Sequence, residues 1–541
     1  MKKYPSPSLF LLIAILCLFA GIARAQTTGT WTNADDRDYD GQGHFIAAFW
    51  SYGYVPPPNS HVGNWSGVAY PGSGGVTNAI LDAPGNTLCD VNVSLNSLTI
   101  KAGGLLIMQF SSALAVATTD IQADGTVNLG AGGGPFPSFT NTGTLTKSGG
   151  TGSFIFDPSI VFNSSAGSTI KVTSGTLVLP GDADNFNGTL DSVTFSPAAG
   201  ATIVLMNLNT TQTVKEHAQG TLGGSTGTVL LEGGVLQGGQ SPCTLDFTGN
   251  VFQWTGGTIG QYQQGSTFSN TGTITISGTD PKETDANFTN KGTIIQNSSV
   301  GLNVGDYNSG GSFTNAAGAV YDMQTNAGIG QSGYPFYNKG LLKKSGGTGV
   351  STLTCAFYNQ GGTVEVDSGT VQLPLNMGSN QIFSTGGTFK AIAATAVLDL
   401  GDANHFIGTY KGSGAGHVRL SQGSLFTDNQ TGATFNFPGA IFQWTGGAIG
   451  GFQGGHLFTN TGTINLMGAN DKQTYANPFA NKGTMILTGT GNFNIGGANG
   501  GGTFNNDVGG TFKLASNASL IGTFDSLNNS GLFEKTAGAG T

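Results

Sequence analysis

The stretch "FSNTGTITISGTDPKETDANFTNKGTI", residues 268–294, contains its own opening twice: Phe268-Ser-Asn270-Thr-Gly272 returns as Phe288-Thr-Asn290-Lys-Gly292, 20 residues later. Between the two, "GTITIS" alternates polar and apolar residues over strand length and "GTDP" reads as a turn. A looser form of the same beat, an aromatic or apolar residue and an Asn with a Gly a few positions on, leading into an apolar run, recurs at Asn270, Asn290, Asn315, Asn338 and Asn359, at intervals of 20, 25, 23 and 21. It returns at Asn460, Asn481, Asn505 and Asn529, at 21, 24 and 24. Each beat holds two or three short alternating runs, such as "GTVEVDSGTVQL" (362–373) and "STIKVTSGTLVL" (168–179), parted by Gly, Asn and Asp. No sustained helical periodicity follows the first 25 residues. A beat of 20–25 residues made only of strands and turns is one coil of a β-solenoid.

The beat sits inside a longer duplication. Residues 268–294 answer "FTNTGTINLMGANDKQTYANPFANKGTM" (458–485), and "FQWTGGTIG" (252–260) answers "FQWTGGAIG" (442–450). Upstream, "NTGTLTKSGGTG" (141–152) answers "NKGLLKKSGGTG" (338–349), and "NNSGLFEKTAGAG" (528–540) opens a further copy. The sequence therefore reads as a signal peptide over 1–25, a cap region with an aromatic-rich insertion over 26–85, and a solenoid over 86–541. The solenoid holds two units of about 190 residues and a third begun at 528.

The chemistry of the beat suits stacked coils. Equivalent residues of neighbouring coils lie about 4.8 Å apart, so Asn side chains can hydrogen-bond along a column. Phe268, Phe288, Phe313, Phe458 and Phe504, each set before its Asn, fill an inward column. Gly two positions after the Asn is expected to supply a positive φ at a sharp corner. Columns of like charge would repel at this spacing, in keeping with only 9% charged residues in a chain with 91 glycines.

These residues resemble the β-strand repeats of bacterial surface proteins, the passenger regions of autotransporters and filamentous-haemagglutinin-like adhesins. The N-terminal "WTNADD" and "NWSGVAYPGSGGVTNAILDAPGNTLCDVNVSLNSLTI" are similar to the Trp-rich start and Pro-Gly turn that lead into the first coils of such proteins. The resemblance implies an all-β, right-handed parallel β-helix and a structural or adhesive role at the cell surface. The chain is expected to depart from that pattern in the insertion over 34–63 and in the lack of a C-terminal membrane barrel within residues 1–541.

Export is read from the residues themselves. "MKK", "LFLLIAILCLFAGI" and "ARA" form a Sec-type signal with cleavage after Ala25, so the protein is expected to be secreted or displayed at the surface. Loss of Lys2, Lys3 and Arg24 takes the 20 Lys and Arg to 17, against 29 Asp and Glu, a net charge of −12. That balance argues against nucleic acid as a partner, and no later stretch has the apolar length of a membrane helix. Cys89, Cys243 and Cys355 are too far apart and odd in number for a disulfide framework, and are read as buried apolar residues.

Few residues suggest chemistry. In "DRDYDGQGHFIA" (36–47), Asp36, Asp38, Asp40 and Gly41 stand where a D-x-D-x-D-G loop places its first Ca²⁺ ligands and its turn. The twelfth position, where a bidentate acid belongs, is Ala47, and the alternative is a solvated acidic loop. Parallel β-helices also carry polysaccharide lyases and glycoside hydrolases. Asp182 and Asp184 in "GDADNF" and Asp402 in "GDANHF" are the carboxylates that such an enzyme would use, against the reading of acids capping turns. The six His show no metal-binding spacing, and "SGGTG" lacks the Lys-Ser/Thr of a phosphate loop. Trp254 and Trp444 share a face with Phe252 and Phe442, which points to filler rather than a sugar platform. The expectation is a side wall that binds glycans, proteins or cells without catalysis or cofactor, with end-to-end association or continuation beyond Thr541. A carbohydrate-active enzyme is the alternative.

Overall fold

The computed structural model describes 137–158, 160–180, 188–206, 215–260, 267–305, 311–330, 334–374, 384–401, 404–427, 431–450, 456–475, 478–496, 501–522 and 525–540, with shorter strand segments from Thr27 to Leu129. Among these residues there is no helix, and apart from one antiparallel pair near the N-terminus strand follows strand in parallel pairing, the expected parallel β-solenoid. The region read as a signal peptide lies outside the described residues.

One coil is three strands. In the coil that starts the opening stretch these are Thr267–Asn270, Thr273–Ile276 and Lys282–Thr284, and Asn287–Asn290 then lies on Thr267–Asn270 residue for residue. We call these the first, second and third sides. Along each, alternate residues turn inward, so Phe268, Asn270, Ile274, Ile276, Lys282 and Thr284 are all buried. Strict alternation over three or four residues followed by a turn leaves room for only one or two inward residues per side. The core is therefore a set of columns running the length of the rod.

The Phe column stacks as expected. Phe288 and Phe313 lie 5.3 Å apart at 10°, Phe313 and Phe336 4.7 Å apart at 13°, and in the second copy Phe458 and Phe479 are 5.1 Å apart. Such offset pairs contribute about 0.5–1.5 kcal/mol each beyond their buried area. Trp254 and Trp444 are also fully buried, each indole N–H donating to a carbonyl three residues on, at 3.1 Å to Gly257 and 3.2 Å to Gly447. The repeated nonapeptide is thus a core tooth.

Two local readings need correction. The Gly two positions after the Asn takes a positive φ at Gly361, but at most rungs it does not: Gly272, Gly292, Gly462 and Gly483 are absent from the left-handed glycines. Close approach requires them instead, because a β-carbon on Gly292 would collide with the carbonyl oxygen of Gly272 one rung away. In the second copy, the buried member of the Asn column is Asn506, not Asn505: with Phe504 turned inward, alternation sends Asn505 outward, beside Ala480 and Asn528.

The duplicated unit is not a whole number of coils. Following the second side from Thr273–Ile276 through Thr293–Gln296, Val320–Met323, Leu341–Lys344, Thr363–Val366, Gly387–Ala391, Gly408–Ser413 and Ala433–Asn436 leads, on the eighth step, to Phe458–Asn460. That strand is a first side, and the second copy of Thr273–Ile276, Thr463–Leu466, comes one side later. A unit is therefore eight and one-third coils, and each copy turns its motifs by one side of the rod. The same hand-over joins Thr144–Lys147 through Thr169–Val172 and Thr194–Pro197 to the strand that meets Thr267–Asn270.

Parallel pairing also reaches into the region read as a cap, with Thr27–Trp31 on Val76–Leu81 and that strand on Val93–Ile100. At the other end, Ser526–Asn529 and Leu532–Lys535 lie on Thr503–Asn506 and Thr511–Leu514, as a further copy requires.

Candidate functional site

The inward polar groups are spent on the rod itself. Asn270, Asn290, Asn315, Asn338 and Asn359 form one amide ladder, each Nδ2 donating to the next Oδ1 at 2.8–2.9 Å. Each Nδ2 from Asn270 to Asn338 also donates to a backbone carbonyl one coil on, Asn290 to Val320 O at 2.9 Å for example. The ladder starts where the rung beneath carries Leu245, which leaves Asn270 Oδ1 without a partner. It ends where Asn359 donates to the Gly362 and Gly386 carbonyls. A second ladder joins Asn460, Asn481, Asn506 and Asn529.

Four buried lysines escape sequence reading. Lys147 and Lys344, and likewise Lys282 and Lys472, hold equivalent positions in successive copies, and all four are fully buried with their ammonium groups bonded to backbone carbonyls. Lys344 Nζ donates to Thr325 O at 2.7 Å, Gly346 O at 2.8 Å, Ser351 Oγ at 3.0 Å and Asn326 Oδ1 at 3.3 Å. Burial pulls the ammonium pKa of Lys344, Lys282 and Lys472 below the usual lysine range, opposed at Lys282 by Asp280 and at Lys472 by Asp471. These chains close turns from within. Only their alternation with apolar residues in "TLTK" and "LLKK" points inward, and that pattern reads equally as an exposed charge.

Outward charges form struts. Asp322, Lys343, Glu365 and Lys390 occupy successive rungs of one column, alternating in sign. Lys343 contacts Glu365 at 3.0 Å and Asp367 at 2.8 Å, and Lys390 contacts Glu365 at 3.0 Å. Burial raises the Glu365 pKa, but hydrogen bonds from Lys343 and Lys390 outweigh it and hold the carboxyl below its usual range. Arg419 bonds Asp399 Oδ2 through Nη2 at 2.8 Å and Nε at 3.0 Å, and Ser421 Oγ donates to Asp399 Oδ1 at 3.1 Å.

A different outward column is aromatic. On the first-side strands Pro335–Asn338 and Ala356–Asn359, Tyr337 and Tyr358 are rung neighbours, their rings stacked 5.6 Å apart at 24°. Asn359 is followed in the ladder by Ser384, and Ser384 by Phe406, which carries the column onto the third side of the second copy. There His405 and Phe426 meet edge to face at 5.7 Å, and Phe426 stacks on Tyr475 at 6.4 Å and 13°. The rung between those two rings is Gly450, with φ +126°, where a β-carbon would press on Tyr475. Tyr358 is buried, and Tyr337, His405, Phe426 and Tyr475 are half-buried. Burial lowers the His405 pKa, so its ring is neutral at pH 7.

Of the residues singled out in sequence, Asp182, Asp184 and Asp402 lie outside the described residues, as do Asp36 and Asp40. Asp38 sits on the strand Arg37–Tyr39, opposite Ala47 in an antiparallel pair with Phe45–Phe49. Among the described residues no three His, Cys, Asp or Glu converge on a point that would hold a metal ion. Cys243 and Cys355 are buried and unpaired, and burial pushes both thiols up to about 12. No family model, curated protein or solved structure matches the chain.

Proposed function

We propose that the chain is an exported structural or adhesive protein of the cell surface, presenting the long side wall of its solenoid to glycans, proteins or neighbouring cells. The observation that carries this reading is the unbroken parallel ladder from Gly85–Cys89 to Ser526–Asn529, which sets outward side chains in columns at rung spacing. Such a surface offers one chemistry repeatedly along a line, suited to extended or multivalent partners. The apolar N-terminal segment and its A-x-A site support export, and the acidic balance supports a partner other than nucleic acid.

Two assays on one preparation test this. The purified chain should bind intact cells or surface polymers. It should also release neither reducing ends nor unsaturated products from a panel of neutral and acidic polysaccharides. Product release abolished by Asp182→Asn or Asp402→Asn would instead favour a polysaccharide lyase or glycoside hydrolase on the same scaffold.

A further inference from the structure

We draw no further inference here: the strongest candidate, the outward column of alternating charge formed by Asp322, Lys343, Glu365 and Lys390 on the second side of the rod, belongs to the struts already described, with Glu365 bonded to both lysines within the chain, and nothing in the structure shows what covers it.

Discussion

Replacing Asn290 by Ala tests the amide ladder at its middle. The side chain is fully buried and takes part in four hydrogen bonds. Its Nδ2 donates to Asn315 Oδ1 and Val320 O, both at 2.9 Å, and its Oδ1 accepts from Asn270 Nδ2 at 2.8 Å and Gly292 N at 3.3 Å. A hydrogen bond of this kind contributes about 0.5–1.5 kcal/mol net, and a buried group left without a partner costs about 1–3 kcal/mol. Asn270 Nδ2 keeps its carbonyl partners at Gly272 and Thr293, whereas Asn315 Oδ1 loses its donor from below. The expected loss is roughly 3–5 kcal/mol, felt mainly in the coils that share the ladder, because a solenoid's stability is a sum over neighbours. Native-state amide exchange reads this locally. Protection over 288–296 and 313–323 should fall by roughly a hundredfold to a thousandfold, and far less beyond Asn460. Asn505→Ala is the control: that outward amide only accepts from Asn528 at 2.9 Å, and its loss should stay within about 0.5 kcal/mol. Exchange in Asn290→Ala within threefold of wild type would refute the reasoning.

Lys344→Met should destabilise its turn by about 2–4 kcal/mol by leaving carbonyl acceptors stranded, seen as new proteolytic cleavage near 325–351. Glu365 gives a pH signature. Its folded pKa is depressed, so its contribution is present above the unfolded value of about 4.3 and is lost as pH falls through the lower folded value. The acid limb of the stability curve should therefore be shallower in Glu365→Gln, and an unchanged limb would contradict the strut. A chain comprising 26–541 should associate end to end as concentration rises, because Leu527, Leu532 and Phe533 are exposed on Ser526–Asn529 and Leu532–Lys535. Light scattering from a strict monomer at high concentration would remove that expectation.

The architecture was legible because its core columns are written as a spacing. Phe two residues before Asn, returning every 20–25 residues within each run, places both inward on one side of the coils that carry it, and Phe288, Asn290, Phe313 and Asn315 are all buried. Trp254 was readable for the same reason. Less legible were features that depend on what a neighbouring rung contributes. The Gly292 requirement comes from the Gly272 carbonyl beneath it, and burial of Lys344 depends on carbonyls that converge only after folding. Asn505 was the wrong member of an adjacent pair: Phe504-x-Asn506 keeps the motif's own spacing, and the pairing register agrees. The aromatic column was invisible for a further reason: Tyr358 belongs to a first-side motif and Phe426 to a third-side one, and no alignment of like with like brings them together. Only the fractional winding does.

That winding is the centre of the account, and disulfide trapping tests it directly. Rung neighbours lie about 4.8 Å apart, within the Cα separation a disulfide accepts. Thr388→Cys with Lys411→Cys, and Thr434→Cys with Thr459→Cys, pair residues along the column that leaves the first copy on its second side and enters the second copy on its first. Thr273→Cys with Thr293→Cys is the pair within one copy. Peptide mapping after mild oxidation should find all three intramolecular bridges. A bridge at 273–293 with none at 388–411 or 434–459 would contradict the eight-and-one-third-coil winding, and with it the column it creates.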